Sequence, residues 1–431
     1  MDFFIIANAW SAGNDNPTSK HRIAFELVRQ GHRVLWIEGS GMRTPSVGSS
    51  HDRLRMVRKV AAALRGVRRE EPLSGCSAAA LLREYPKAPS SSPPTPQQPN
   101  HLTTVLHVLS PLFIPLPRYE LIRRLNGLIC RVSMRFWGWR LGFRDPVLIN
   151  YVPVLAEAMC GWRHESRAPR VVYHCVDRWD AFAMYDSAMM GEMDRRCCEI
   201  ADVVIASSQE LVERCRRYST NVYLISHGVD HDHFARALQV MRRPEDLPPG
   251  HVVGFFGLLS EWLDQDLLLE IARQVPDCEV VLIGKEDVPI ERLRNIRNIH
   301  LLGSRPFHRL PEYVAHFDVG LIPFVVNELT KAVNPIKLRE MLSAGCPVVS
   351  TALPEVQVYQ GEGVVIADTV DQFIEAVVGR VRKPITVEAR AAISASVANE
   401  TWSAKVGEIL TIVDGKPQGS PYPNPLAVGG E

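Results

Sequence analysis

Nine cysteines stand in this 431-residue chain, yet none belongs to a C-x-x-C pair, and their number is odd and their positions scattered. Neither a disulfide framework nor a zinc site is therefore indicated, and a reducing cytoplasm fits best. Long apolar runs are missing as well: no stretch of about 18 apolar residues offers a membrane span. The N-terminus, MDFFIIANAW, has Asp2 where a signal peptide has a basic region, and its apolar run is too short for one. A soluble or peripheral protein is expected. A dinucleotide fingerprint is absent too, because the loop AWSAGNDNP after the first apolar run holds a single Gly and no G-x-G-x-x-G. That counts against an NAD-dependent dehydrogenase. Net charge is nearly zero, at +1, but it is unevenly spread. Residues 1–170 hold 24 Lys+Arg against 12 Asp+Glu, and residues 171–431 hold 25 against 36, which makes the first part +12 and the second −11. A basic and an acidic part in one chain suggest a surface that meets an anionic partner.

With 46% hydrophobic residues, the chain is long enough for two domains with full cores. The first opens as strand, loop, helix, strand: Phe3 to Ala7, helical spacing from Thr18 to Gln30, then Val34 to Ile37 after Gly31. Lys20 and His21, at the start of that helix, are candidates for contacting an anionic acceptor, or else are solvated surface residues. Further strands are expected at His101 to Leu109, Val147 to Tyr151, Arg170 to Val176, Ala201 to Ser208 and Val222 to Ser226. Residues 251–400 repeat a βα rhythm, with short apolar strands at Val252 to Phe256, Val280 to Ile283, Ile299 to Leu302, Val319 to Ile322 and Pro347 to Ser350. That rhythm predicts a doubly wound parallel sheet. The Pro- and Ser-rich stretch at 86–100 reads as a mobile insertion, and the last residues, 415–431, as a disordered tail.

Two segments join basic to apolar residues at helical spacing. The first, residues 51–69, carries Arg58 and Lys59. The second, Arg118 to Arg144, sets Arg135 and other arginines among Phe136, Trp137 and Trp139. Such segments suit an interfacial contact with anionic lipid, or else a core-facing helix with a charged solvent face. No nucleic-acid fold signature accompanies them, and nucleic acid is not expected as a partner.

Two places carry candidate chemistry. The run NPIKLREMLSAGCPVVSTALP, Asn334 to Pro354, reads as a helix with Asn334 as N-cap and Pro335 in its first turn, followed by a buried strand. A helix start of this kind attracts a phosphate, and Lys337 adds a full charge beside it. Glu340, three residues on, can accept both hydroxyls of a ribose. The same two residues also fit an ordinary i,i+3 surface ion pair. The second place is the end of the strand Arg170 to Val176. Asp177 follows it, where α/β folds bind ligands, and is the candidate general base, with Asp180 and His174 as substitutes. An N-cap role is the alternative for Asp177. HGVDHDHF, from His227, holds three His and two Asp, but nothing sets them on one face, and no metal site is expected.

NPIKLREMLSAGCPVVST closely resembles the nucleotide-sugar site of GT-B glycosyltransferases of group 1, the superfamily of many bacterial polysaccharide and lipid-linked sugar transferases. The family often carries an E-x7-E pair; here Glu340 is the second member, and Ala332 stands where the first would fall. The family also places an Arg and a Lys after its Gly-rich turn, where this chain reads LLSEWLD beyond Gly257. Tyr173 to Asp177 is similar to an acidic YDxxDD-like segment of related transferases, and HGVD resembles the NGVD turn that leaves their first domain.

The resemblance implies a GT-B fold, α/β, with two Rossmann-like doubly wound domains facing a central cleft. It implies an acceptor domain at 1–228, a linker at 229–250, a nucleotide-sugar domain at 251–400 and a helix at 401–414 crossing back to the first domain. The donor set would be Lys337, Glu340, Asn334, Ile336, Thr330, Arg305, Gly257 and Gly284, with Lys285 as a lesser candidate. The implied activity is metal-independent sugar transfer from a nucleoside-diphosphate sugar to a hydroxyl of a lipid-linked or glycan acceptor, with no cofactor. The acidic Asp177 and the absent Glu tilt it towards inversion. A nucleotide-sugar epimerase and a non-catalytic nucleotide-binding protein of the same architecture are the alternatives.

Overall fold

In the computed structural model, the described residues are 1–8, 10, 17–42, 57, 60, 61, 63, 65–70, 106–162, 170–239, 241–361 and 363–415. Arg58, Lys59, the stretch 86–100 and residues 416–431 lie outside them.

The first sheet has eight strands: β1 (Asp2–Ala7), β2 (Arg33–Glu38), β3 (Val67–Glu70), β4 (Leu106–Leu109), β5 (Val147–Asn150), β6 (Val171–Cys175), β7 (Val203–Ala206) and β8 (Val222–Leu224). Their order is β3-β4-β2-β1-β5-β6-β7-β8, and all neighbours are parallel except β3, which runs antiparallel on β4 at the edge. The strands are near-continuous apolar runs such as FFIIA and VVIA because helices cover both faces of a parallel sheet. β3 corrects the reading of 51–69 as helical throughout: Val67–Glu70 pairs residue for residue with Leu109 back to Leu106. The apolar spacing that suggests a helix does not register where a neighbouring edge offers hydrogen bonds.

The second sheet contains β9 (His251–Phe256), β10 (Cys278–Ile283), β11 (Ile299–Leu301), β12 (Val319–Ile322), β13 (Val348–Thr351) and β14 (Val364–Ala367). Its order is β11-β10-β9-β12-β13-β14, parallel throughout. Five of these strands stand where the sequence pattern puts them. The sixth, β14, is added by pairing with β13.

Both sheets reverse their winding direction once, between β1 and β5 and between β9 and β12. At such a switch point the loops leaving the carboxyl ends part company and leave a crevice. Five helices matter below: α1 (Ser19–Arg29) after β1, α2 (Glu120–Arg140) before β5, α3 (Ser187–Ile200), α4 (Ile336–Ser343) before β13, and α5 (Trp402–Val413).

The chain crosses between the domains twice, side by side. Val229 N–H donates to Glu400 O (2.8 Å), and Trp402 N–H donates to Val229 O (3.3 Å). A Cβ on Gly228 would lie 2.7 Å from Trp402 N, so that glycine is what lets the two crossings touch. Beyond it, Val229 and Phe234 join the core of the second domain. Trp402, Val406, Ile409, Ile412 and Val413 of α5 join the core of the first. HGVDHDHF is therefore folded onto the second domain, with His233 stacked on Phe307.

Candidate active site

A cleft of about 710 Å³ opens between the carboxyl edges of the two sheets. Loops after β1 and β6 and the start of α1 form one wall. Loops after β9 and β10, and the first turn of α4, form the other.

On the second-domain wall, α4 begins at Ile336 with Pro335 as its N-cap residue, and no side chain caps it. The expectation that Asn334 caps this helix is corrected: its Oδ1 accepts from Arg339 Nη1 (2.7 Å) and its Nδ2 donates to Glu355 (2.6 Å). An uncapped first turn keeps its N–H groups available to a ligand, and Asn334, Pro335, Ile336, Lys337 and Glu340 all line the cleft there. Lys337 Nζ lies 2.7 Å from Glu340 Oε2 and 4.9 Å above the centre of the Phe256 ring. Glu340 is buried, so Lys337 neutralises a carboxylate that water hardly reaches.

Gly257 and Gly284 end β9 and β10. A Cβ on Gly284 would fall 1.6 Å from the carbonyl oxygen of Gly257, so only glycine permits this approach of the two loops. Lys285 lines the cleft beside Gly284. Arg305 lines it too, donating to the Tyr313 hydroxyl (2.9 Å) and pairing with Asp246.

Thr330 departs from its expected donor role. It is fully buried, does not line the cleft, and its hydroxyl accepts from Asn327 N–H (2.9 Å) and donates to Val325 O (2.5 Å), closing a capping box. Ala332, where the missing Glu would stand, is fully buried in the core of the first domain. A carboxylate there would be desolvated against apolar groups.

On the first-domain wall stands Asp177, half-buried after β6. Burial raises its carboxyl to about 6, opposed by the positive charge of Lys20. Lys20 lines the same wall, 5.0 Å above Trp179, and burial pulls its own titration down. The two substitutes for Asp177 do not line the cleft. Asp180 is held by Arg214 (3.1 Å) and faces Arg178 (3.7 Å). His174 is buried under Tyr151, whose hydroxyl is 3.0 Å from its Nδ1; burial lowers it to about 3.

Of the two readings of Lys20 and His21, acceptor contact or solvated surface, the second is corrected, since both are buried. His21 leaves the cleft wall to stack on Trp36, with ring centres 4.8 Å apart, and burial lowers it to about 4. The second domain covers this end of α1: Arg22 bonds Asp230 (3.3 Å) and lies 4.2 Å over the Phe307 ring. Arg22 and His227 both line the cleft, and their sequence signal is weak, a helix start and a turn. Trp137 is half-buried, with Gly66 packed against its ring, while Arg135 is exposed. Among the described residues, no group of three His, Cys, Asp or Glu side chains is placed to hold a metal, and no helix is long and apolar enough to cross a membrane.

Residues 250–382, the domain that carries Lys337 and Glu340, match the family model described as Glycosyl transferases group 1. A Bacillus subtilis (strain 168) protein described as the teichuronic acid biosynthesis glycosyltransferase TuaH is 29% identical over 238 residues, 49% of this chain and 60% of TuaH. The chain thus matches less than two thirds of that relative's length. Among solved structures, sucrose-phosphate synthase from Thermosynechococcus elongatus superposes with a TM-score of 0.64 at 14% identity, over 96% of this chain and 98% of that one. HepE from Anabaena, in complex with UDP-glucose, does so with a TM-score of 0.54 at 14% identity, over 95% and 99%. The two facing parallel sheets give this chain a GT-B fold, and its second domain is similar to the group 1 glycosyltransferases.

Proposed function

We propose that the chain transfers a sugar from a nucleoside-diphosphate sugar to a hydroxyl of a lipid-linked or glycan acceptor, in the cytoplasm at the inner face of the plasma membrane. The observation that carries this reading is the pairing across one cleft of an uncapped helix start bearing Lys337 and Glu340 with the half-buried carboxylate of Asp177. Glu340 accepts the ribose hydroxyls, while Lys337 and the first turn of α4 hold the diphosphate. Asp177 takes the proton from the acceptor hydroxyl as its oxygen bonds to the anomeric carbon. The bond from that carbon to the diphosphate breaks, and the leaving oxygen's charge falls on Lys337 and the helix start, with no metal required. One base opposite the leaving group gives inversion.

Support comes from the family match and from relatives whose descriptions name UDP, UDP-glucose and teichuronic acid biosynthesis. The test is calorimetric titration with UDP, GDP, ADP and TDP and their sugar conjugates, followed by NMR of the product anomer. Tight binding of one diphosphate and turnover with inverted configuration are expected. Absence of binding to all four refutes the donor site, and retained configuration refutes the role given to Asp177.

A further inference from the structure

The helix α2 is built with its large side chains on the outside. Its inner face is Asn126, Gly127, Cys130, Met134 and Gly138. A Cβ on Gly127 would meet Glu157, in the 3-10 turn after β5, at 2.5 Å, and one on Gly138 would meet Phe4 of β1 at 2.5 Å, so at these two positions the inner side leaves no room for a side chain. The outer face is Leu121, Leu125, Leu128, Val132, Phe136 and Trp139, spaced four, three, four, four and three apart. Leu121 and Trp139 are each 76% exposed, Val132 58% and Phe136 52%. Twenty-one residues make a rod of about 30 Å, and the apolar stripe runs nearly its full length. Soluble helices bury such a stripe, and an exposed one of this size marks an interaction surface.

Charge decides what covers it. Residues 118–144 hold seven arginines and one carboxylate, Glu120, which pairs with Arg124 at 2.5 Å. Arg118, Arg135, Arg140 and Arg144 are exposed along the helix and at its ends. Gly66 packs on Trp137, which brings exposed Arg65 and Arg69 beside the carboxyl end of α2. A second copy of the chain would set these arginines against arginines in an isologous pair. An anionic bilayer accepts both components, with apolar residues entering the headgroup boundary and arginines meeting lipid phosphates.

Because α2 leads into parallel strand β5, its first turn lies at the carboxyl edge of the sheet, where the cleft opens. We propose that the outer face of α2, Leu121 to Trp139 with its flanking arginines, docks the protein on an anionic lipid surface and presents the cleft to an acceptor held there. The assignment rests on the reading of the chain as a transferase with a membrane-borne acceptor. The side chains that sequence alone singles out, Trp137 and Arg135, share this role unequally: Trp137 packs inward and Trp139 faces out.

Cosedimentation of the full chain with phosphatidylcholine vesicles, with and without one-third phosphatidylglycerol, tests this. Binding to the anionic vesicles alone is expected, weakened by raised salt. Leu128→Glu/Val132→Glu, both outward-facing, lowers it by at least about tenfold, as does Arg135→Glu/Arg140→Glu. Circular dichroism and nucleoside-diphosphate titration on the same samples are unchanged. Wild-type protein left in the supernatant, or variants that sediment like wild type, overturns the proposal. So does a concentration-dependent dimer abolished by the same substitutions, which hands the face to a second copy. If nucleotide binds and vesicles do not, the docking surface alone falls. If vesicles bind and no nucleotide does, the functional reading falls and the surface stands.

Discussion

Replacing Lys337 by Ala tests the donor site through one charge. The ammonium has three donors and uses one on Glu340 at 2.7 Å, which leaves others for a diphosphate resting on the first turn of α4. A hydrogen bond to a charged group contributes about 1.5–3 kcal/mol, so the dissociation constant for the diphosphate rises by about 10- to 150-fold. The substitution also leaves Glu340 buried without its partner, which costs stability. Two controls separate these effects. Glu340→Gln keeps Lys337 and relieves the buried charge while weakening ribose contacts. Titration with the free nucleoside reports ribose and base without phosphate. The assay is calorimetry on the three proteins with nucleoside, monophosphate and diphosphate. Lys337→Ala is expected to lose affinity for the diphosphate and leave nucleoside affinity within a few-fold. An unchanged diphosphate constant, or an equal loss for the nucleoside, refutes the reasoning that Lys337 acts on phosphate charge.

Two further outcomes concern protons. Asp177 works as a base only when deprotonated, and burial holds its carboxyl at about 6, so kcat/KM is expected to fall about tenfold per pH unit below 6 and to level above it. Lys20 pulls that carboxyl down, and Lys20→Met should move the inflection upward; a profile that stays in place in this variant removes Lys20 from the site. Stability has its own window. His174 and His227 are buried neutral, lowered from 6.5 to about 3 by burial. Below 6.5 the unfolded chain binds protons that the folded chain refuses, so stability is lost as pH falls from 6.5 towards 3. The slope approaches about 1.4 kcal/mol per pH unit for each histidine. Denaturant melts at pH 7 and pH 5 read it, and equal midpoints contradict the neutral burial of both rings.

The sequence by itself determined the second domain and its helix start. Parallel strands buried on both faces are written as short apolar runs, and Pro335, Lys337, Glu340, Gly345 and Pro347 are local signals that need no partner to be read. Gly257 and Gly284 were legible as loop glycines, although their contact was not. Asp177 was legible because the end of a parallel strand is a fixed place for ligand chemistry.

Tertiary structure decided everything that depends on what covers a residue. The polar run at the start of α1 reads either as acceptor contact or as solvated surface, and the second domain buries it through Arg22, Asp230 and Phe307. Asn334 has the residue type of a cap, yet Arg339 and Glu355 claim its side chain; Thr330 turns inward to close its own helix. Asp180 and Asp177 stand three residues apart, and only the packing of Arg214 against Asp180 tells the neutralised carboxylate from the one left facing the cleft. On α2 the apolar spacing was visible, but its direction was not, because periodicity states which residues share a face and only the packing of Glu157 behind Gly127 and of Phe4 behind Gly138 states which face turns outward.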